Sequence, residues 1–179
     1  PRMRIAIALS FGILIALVFA CNSGQEPRVM TRDGALQAEL RHAEATRKRL
    51  EQNKAIMSNK TLGPQEVRGL KTEFAFWRQA DLYFESNQLA RAELTARPQD
   101  SGRFERFYFD RKEQLVLAED GDTAEVTRYY FLLDRLVMAV KNNRDTLKLK
   151  APAVKLKSIN LVKEAARLQS LVTDTLPDE

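Results

Sequence analysis

Residues 107–118 read Phe-Tyr-Phe-Asp-Arg-Lys-Glu-Gln-Leu-Val-Leu-Ala, and two other stretches of the chain fall on the same template. Leu82-Tyr83-Phe84 is followed by Leu89 and Ala92, and Tyr129-Tyr130-Phe131 by Leu136 and Ala139. The step from phenylalanine to leucine is five, six and five residues; the step from leucine to alanine is three each time. Each copy has the form strand, short turn, strand, with turns at Glu85-Ser86-Asn87-Gln88, Asp110-Arg111-Lys112-Glu113 and Leu132-Leu133-Asp134-Arg135. Two β runs joined by a few residues make a hairpin, and three hairpins in series make an antiparallel meander of about six strands. The links between them, Arg97–Gly102 and Glu119-Asp120-Gly121-Asp122, read as turns. Phe84, Phe109 and Phe131 are expected at equivalent, largely buried positions.

The flanks differ in kind. Beyond residue 21 every aromatic lies between Phe74 and Phe131, whereas the stretches before and after are rich in Ala, Leu, Lys, Arg and Glu, which favour helix. The layout is therefore α+β: an N-terminal helix (33–63), an antiparallel meander (64–150), and a C-terminal helix and tail (151–179) packed on the sheet. The first helix is expected from Asp33, a suitable N-cap, to about Asn59, with Gly63-Pro64 stopping any continuation. Leu36, Leu40, Ala43, Arg47, Leu50, Lys54 and Met57 form a heptad-like stripe interrupted by two cations. Such a stripe fits one amphipathic helix lying on the sheet better than a coiled coil. His42, the single histidine, sits beside the stripe between Arg41 and Ala43 and reads as a solvated surface residue.

Within the first strand, Phe74, Phe76, Ala80, Leu82 and Phe84 share one face, with Arg78 the exception, opposite Glu73, Gln79, Asp81 and Glu85, with Ala75, Trp77 and Tyr83 on that polar side. Later strands carry apolar groups on both faces, Leu115 and Leu117 against Val116 and Ala118, and Leu136 and Met138 against Val137 and Ala139. Both faces must then be covered, one by helices and the other by sheet curvature, a partner or a ligand. Leu147-Lys148-Leu149-Lys150 alternates and is expected as a last edge strand, where lysines discourage further pairing. From Lys141 to Lys163 seven cations stand against one acid. Beyond Pro152, Ile159, Val162, Ala166 and Gln169 line up with Leu161, Ala165, Leu168 and Val172 as a broad apolar helix face.

Ahead of the domain, Arg2 and Arg4 precede the uncharged run Ile5–Ala20, and the chain's one cysteine, Cys21, follows directly. A basic start, a short apolar core and a small residue at its end describe a secretory signal, and the run is shorter than the ~20 residues of a spanning helix. Val18-Phe19-Ala20-Cys21 resembles the lipobox of bacterial lipoproteins, with Phe19 standing where that family usually has a small residue. The resemblance implies a signal peptide (1–20), diacylglyceryl transfer to the Cys21 thiol, cleavage before it, and fatty acylation, such as with palmitate, of the new amine. Residues 21–32 would be a lipidated tether. Asn22 in place of an aspartate implies the outer membrane by the family's sorting rule. An uncleaved anchor, or a plain secretory signal with a stray cysteine, are the alternatives on the residues alone. Residues 72–172, tandem aromatic hairpins followed by a Lys-rich helix, also resemble uncharacterised bacterial lipoproteins with antiparallel meanders. That likeness implies fold rather than activity. Those proteins usually carry Asn or Gly in the hairpin turn, where this chain has Leu132-Leu133.

Chemistry is sparse. One cysteine and one histidine exclude an internal disulfide and any multi-histidine or cysteine-rich metal site. Glu119-Asp120-Gly121-Asp122-Thr123 hints at calcium, but an EF-hand loop begun at Asp120 would place Phe131 where the bidentate acid belongs, so a solvated turn is expected. Glu73 and Asp81 could act as a glycosidase pair only in a cleft. No phosphate loop, nucleophile elbow or dinucleotide fingerprint occurs, and nothing calls for a cofactor. Aromatics and the basic stretch lie apart, which argues against nucleic acid. The expectation is a non-catalytic, membrane-anchored envelope lipoprotein with a binding or scaffolding role, held to the bilayer through acylated Cys21. Anionic envelope components or another envelope protein are its candidate partners, and Leu132, Leu133, Lys148, Lys150, Lys155 and Lys157 its candidate contacts. The Leu132-Leu133 tip is either tucked beneath a helix, the plainer option, or exposed for a partner or membrane. Two rival readings are an apolar-ligand carrier with a cavity lined by Phe74, Phe76, Phe84, Phe107 and Phe109, and an envelope hydrolase or its inhibitor.

Overall fold

The three sequence repeats become three β-hairpins in register. In the computed structural model, which describes residues 32–68, 77–96 and 102–173, Leu82 faces Ala92 and Phe84 faces Leu89 across β2 (Trp77–Glu85) and β3 (Gln88–Ala96). Phe107 faces Ala118 and Phe109 faces Leu115 across β4 (Phe104–Phe109) and β5 (Leu115–Gly121). Tyr129 faces Ala139 and Phe131 faces Leu136 across β6 (Val126–Leu132) and β7 (Arg135–Lys141). Each hairpin breaks register at the same place, between Tyr83 and Phe84, Tyr108 and Phe109, and Tyr130 and Phe131.

That shared bulge explains the leucine-to-alanine step of three. In a regular strand, residues three apart face opposite ways; one extra residue brings them back to one face. Leu89 and Ala92, Leu115 and Ala118, and Leu136 and Ala139 accordingly lie on the same side of the sheet. Val116 and Leu117, and Val137 and Met138, lie together on the other. The strict alternation expected for these strands is corrected. A further bulge between Trp77 and Gln79 turns Trp77 away from the polar side and into the cluster of Ala80 and Leu82.

Among the described residues the sheet has eight strands rather than six, all antiparallel and in chain order. The two additional strands lie at the edges. β1 (Ser58–Leu62) pairs with β2, within the stretch expected to be helical. Helix α1 runs Arg32–Asn53, with Asp33 inside its first turn, and after one 3-10 turn (Lys54–Ile56) the chain enters β1. Ser-Asn-Lys-Thr-Leu carries one buried residue, Leu62, and so has no alternation to announce a strand. Gly63-Pro64 starts a helix instead of ending one. Proline opens α2 (Pro64–Arg68), and the Gly63 amide donates to Glu66 Oε2 at 2.8 Å, as at a capped N-terminus. At the other edge, β8 is Asp145–Thr146 and not residues 147–150. Asn142 and Asn143, at φ 50° and 60°, turn the chain tightly enough to set Asp145 opposite Lys141.

Contacts separate Pro1–Ala35 from Leu36–Glu179; of the first unit only the opening turn of α1 is described. Within the second, each sheet face has its own helix. The C-terminal helix α3 (Pro152–Thr173) buries Val154, Leu161, Ala165, Leu168 and Val172 against Phe107, Phe109, Tyr129 and Phe131. Ala43 and Leu50 of α1 pack on Tyr108, Leu117 and Tyr130 on the opposite face, with Leu40 and Met57 beside them. The stripe is thus an amphipathic helix on the sheet, and the second cover expected from curvature, a partner or a ligand is α1 itself. Phe109 and Phe131 are buried as the repeat requires, whereas Phe84, next to edge strand β1, is half-buried.

Two hairpin turns place both central residues in the left-handed region: Ser86 and Asn87, and Leu133 and Asp134. That is the type I′ requirement, suited to Asn and Gly. Leu133 adopts φ 48° without that aptitude, which strains it by ~1 kcal/mol. Leu133→Asn should therefore raise stability by about 1 kcal/mol, read as a higher urea midpoint at unchanged slope; an unchanged midpoint would show that the turn is not strained.

Candidate functional site

Among the described residues, charged side chains inside the fold gather in two places. Beneath α1, Glu93, Arg106, Glu119 and Arg128 are directly opposed from β3 to β6, an alternating ladder. Arg106 Nε donates to Glu93 Oε1 at 3.2 Å, and Arg128 Nε to Glu119 Oε1 at 2.9 Å. Arg91, 1% exposed, donates to Glu93 at 2.6 Å and to Glu51 of α1 at 3.1 Å. Its guanidinium also lies 4.9 Å from the Tyr83 ring centroid and 5.8 Å from that of Tyr108. Burial works against the Glu93 charge, but the hydrogen bond and charge of Arg91, with Arg106 and Lys54, hold its carboxyl down at about 2.

The middle tyrosine of each repeat faces this side. Tyr108 OH donates to Glu51 and Tyr130 OH to Glu44, each at 2.6 Å. Lys54 lies over the Tyr83 ring at 5.1 Å. Seven helical residues rise ~10.5 Å, close to the ~9.6 Å between alternate strands. Heptad-spaced Glu44 and Glu51 can therefore each meet the tyrosine of a successive repeat. Arg47 and Lys54, the interruptions of the stripe, pair with Glu44 and Glu93.

The second cluster lies beneath α3. Lys157 Nζ donates to Glu105 Oε1 and sits 3.1 Å from Asp120 Oδ2. Glu164, 7% exposed, is enclosed on the same side of the sheet, near the Glu105 carboxylate. Burial first, then Glu105, pushes Glu164 up to about 9. The folded chain therefore binds a proton more tightly than the unfolded chain. Its contribution to stability is complete below the ordinary carboxyl value and is lost as pH rises towards about 9. Urea unfolding of the native chain should weaken steadily from about pH 5 to pH 9 relative to Glu164→Gln; parallel pH profiles would show that the Glu164 carboxyl is not raised.

The expected solvated turn at Glu119-Asp120-Gly121 is corrected as well. These residues end β5, and Glu119 is buried in the ladder. The turn begins at Asp122, whose Oδ1 accepts from the Ala124 and Glu125 amides. Gly121 is required beside it, since a Cβ there would stand 2.1 Å from the Glu125 carbonyl oxygen.

Of the residues singled out in the sequence, Cys21, Glu73, Phe74 and Phe76 lie outside the described residues. Asp81 accepts from Thr61 at 2.7 Å and from Gln79 at 2.9 Å. His42 is exposed, 3.8 Å from Asp110. Leu132 and Leu133 are 37% and 66% exposed, so the tip is not tucked beneath a helix. Leu133 instead borders a groove of about 200 Å³ shared with Val162, Ala166 and Gln169 of α3. Lys148, Lys150 and Lys155 are exposed, but Lys157 points inward to its two acids and is not a surface contact.

Neither internal cluster sets a nucleophile beside a general base. Among the described residues no group of three or more His, Cys, Asp or Glu is placed to hold a metal ion, and no helix is long and apolar enough to cross a membrane. Compared with known protein families, curated proteins and solved structures, the chain matches none.

Proposed function

We propose that this chain is a non-catalytic lipoprotein of the bacterial cell envelope, held at the outer membrane through acylated Cys21, with a binding or scaffolding role. The observation that carries the reading is the placement of the one cysteine directly after Ile5–Ala20. A thiol is the natural site for a thioether, and several acyl chains on one residue give stable membrane residence, each buried CH₂ contributing ~0.8 kcal/mol. The domain is consistent with such a role: its charged clusters are internal ion pairs that hold two helices to a sheet. The carrier alternative has less support, because Phe107 and Phe109 are fully enclosed with Leu161, Ala165 and Leu168. Cys21→Ala should abolish metabolic labelling with a fatty-acid analogue and leave an uncleaved precursor on gels. Normal processing of that variant to a soluble product would overturn the reading.

A further inference from the structure

We infer that the outward face of α3, continued by the β6–β7 tip, is a docking surface for an anionic lipid bilayer. Helix α3 turns Val154, Leu161, Ala165, Leu168 and Val172 inward. At ~100° per residue, Leu156, Ile159 and Lys163 fall within about 60° of one another on the opposite pole. Leu156 is 54% exposed and Ile159 43%, and Leu149, in the turn leading into the helix, is 37% exposed. On the flank of the same helix, Val162 and Ala166 border the groove that Leu133 closes from the hairpin tip. Apolar surface thus continues from Leu156 to Leu133, with Glu113 and Asp134 marking its limit.

Along the helix the charge around this strip is positive, and the acids Glu113 and Asp134 stand only at its hairpin end. Lys148, Lys150, Lys155 and Lys163 are exposed. The sole acid of α3, Glu164, faces inward and keeps its proton. The outer helix surface therefore presents cations and no carboxylate. Apolar side chains rimmed by lysines are what a helix needs to lie at a headgroup boundary, with alkyl stems along the acyl region and ammonium groups among phosphates. Leu133 adds a separate indication. A leucine held in a left-handed turn conformation carries strain that Asn or Gly would relieve, and what it presents in return is an apolar side chain pointing outward. The inference builds on the reading of the chain as a lipoprotein, since an anchor at Cys21 would hold the body at high effective concentration over a bilayer.

The test uses the full acylated chain, whose Cys21 is consumed by the lipid. An environment-sensitive fluorophore is placed on Leu156→Cys or, on the exposed side of α1, on Ala45→Cys. Vesicles are phosphatidylcholine with or without phosphatidylglycerol. The label at position 156 should shift to the blue on phosphatidylglycerol vesicles and return in high salt, while the label at position 45 stays in water. When position 156 is labelled, replacing Lys155 and Lys163 by Gln should weaken the interaction about thirtyfold. A label at 156 that stays in water on anionic vesicles overturns the surface. So does a blue shift that appears without vesicles and grows with protein concentration, since the occupant would then be a second copy. Flotation in high salt reports the anchor separately. A chain that fails to float yet shifts at position 156 on added anionic vesicles would refute the anchor and support the surface.

Discussion

Arg91→Ala should destabilise the domain by about 3–5 kcal/mol, the range for removing one partner of a buried ion pair. Arg91 is enclosed between the Tyr83 and Tyr108 rings and bonds both Glu93 and Glu51. Its loss leaves Glu93, largely enclosed itself, with only Arg106 and Lys54, and releases one of the ties that hold α1. Much of the effect belongs to the acid left behind. Arg91→Met together with Glu93→Leu should therefore recover a large part of the loss, because well-packed apolar replacements of buried ion pairs are often close to neutral. Equilibrium urea unfolding measures both. A single variant within ~1 kcal/mol of the parent would show that Arg91 is not the centre of the network.

Phe109→Ala and Phe131→Ala should each lose about 3–5 kcal/mol, the usual result of emptying a buried phenylalanine site. Both rings are enclosed on the α3 side, opposite the leucine of their own repeat. Phe84→Ala, at the equivalent place in the first repeat but half-buried beside edge strand β1, should lose clearly less. The order of the three midpoints is the test. Equal losses would mean that Phe84 is as enclosed as the others.

The repeat was legible because side-chain chemistry recurs at fixed steps, and each leucine named from it faces the phenylalanine of its own hairpin, while each alanine faces the first residue of its triplet, Leu82, Phe107 or Tyr129. The bulges were written in the same numbers. A step of three between residues on one face requires an extra residue, which strict alternation has no room for. β1 was hidden for a physical reason: an edge strand with one buried residue needs no hydrophobic pattern. The ladder was hidden because charge usually signals solvent. A signal existed, since Arg106 and Arg128 each precede an aromatic triplet and Glu93 and Glu119 each follow the repeat alanine. Lys157 misled in the same way, because its surroundings come from strands about 40 to 50 residues earlier in the chain.

The bond between Tyr130 and Glu44 has a consequence in time. Its partners are 86 residues apart. Helix α1 therefore precedes β6, the last of the strands that receive it, by a long stretch of chain. Each hairpin can close meanwhile within microseconds, since its strands are neighbours in the chain. Completion of the third hairpin is then the event that finishes the seat that Arg91, Tyr108 and Leu117 begin for the first helix of the domain.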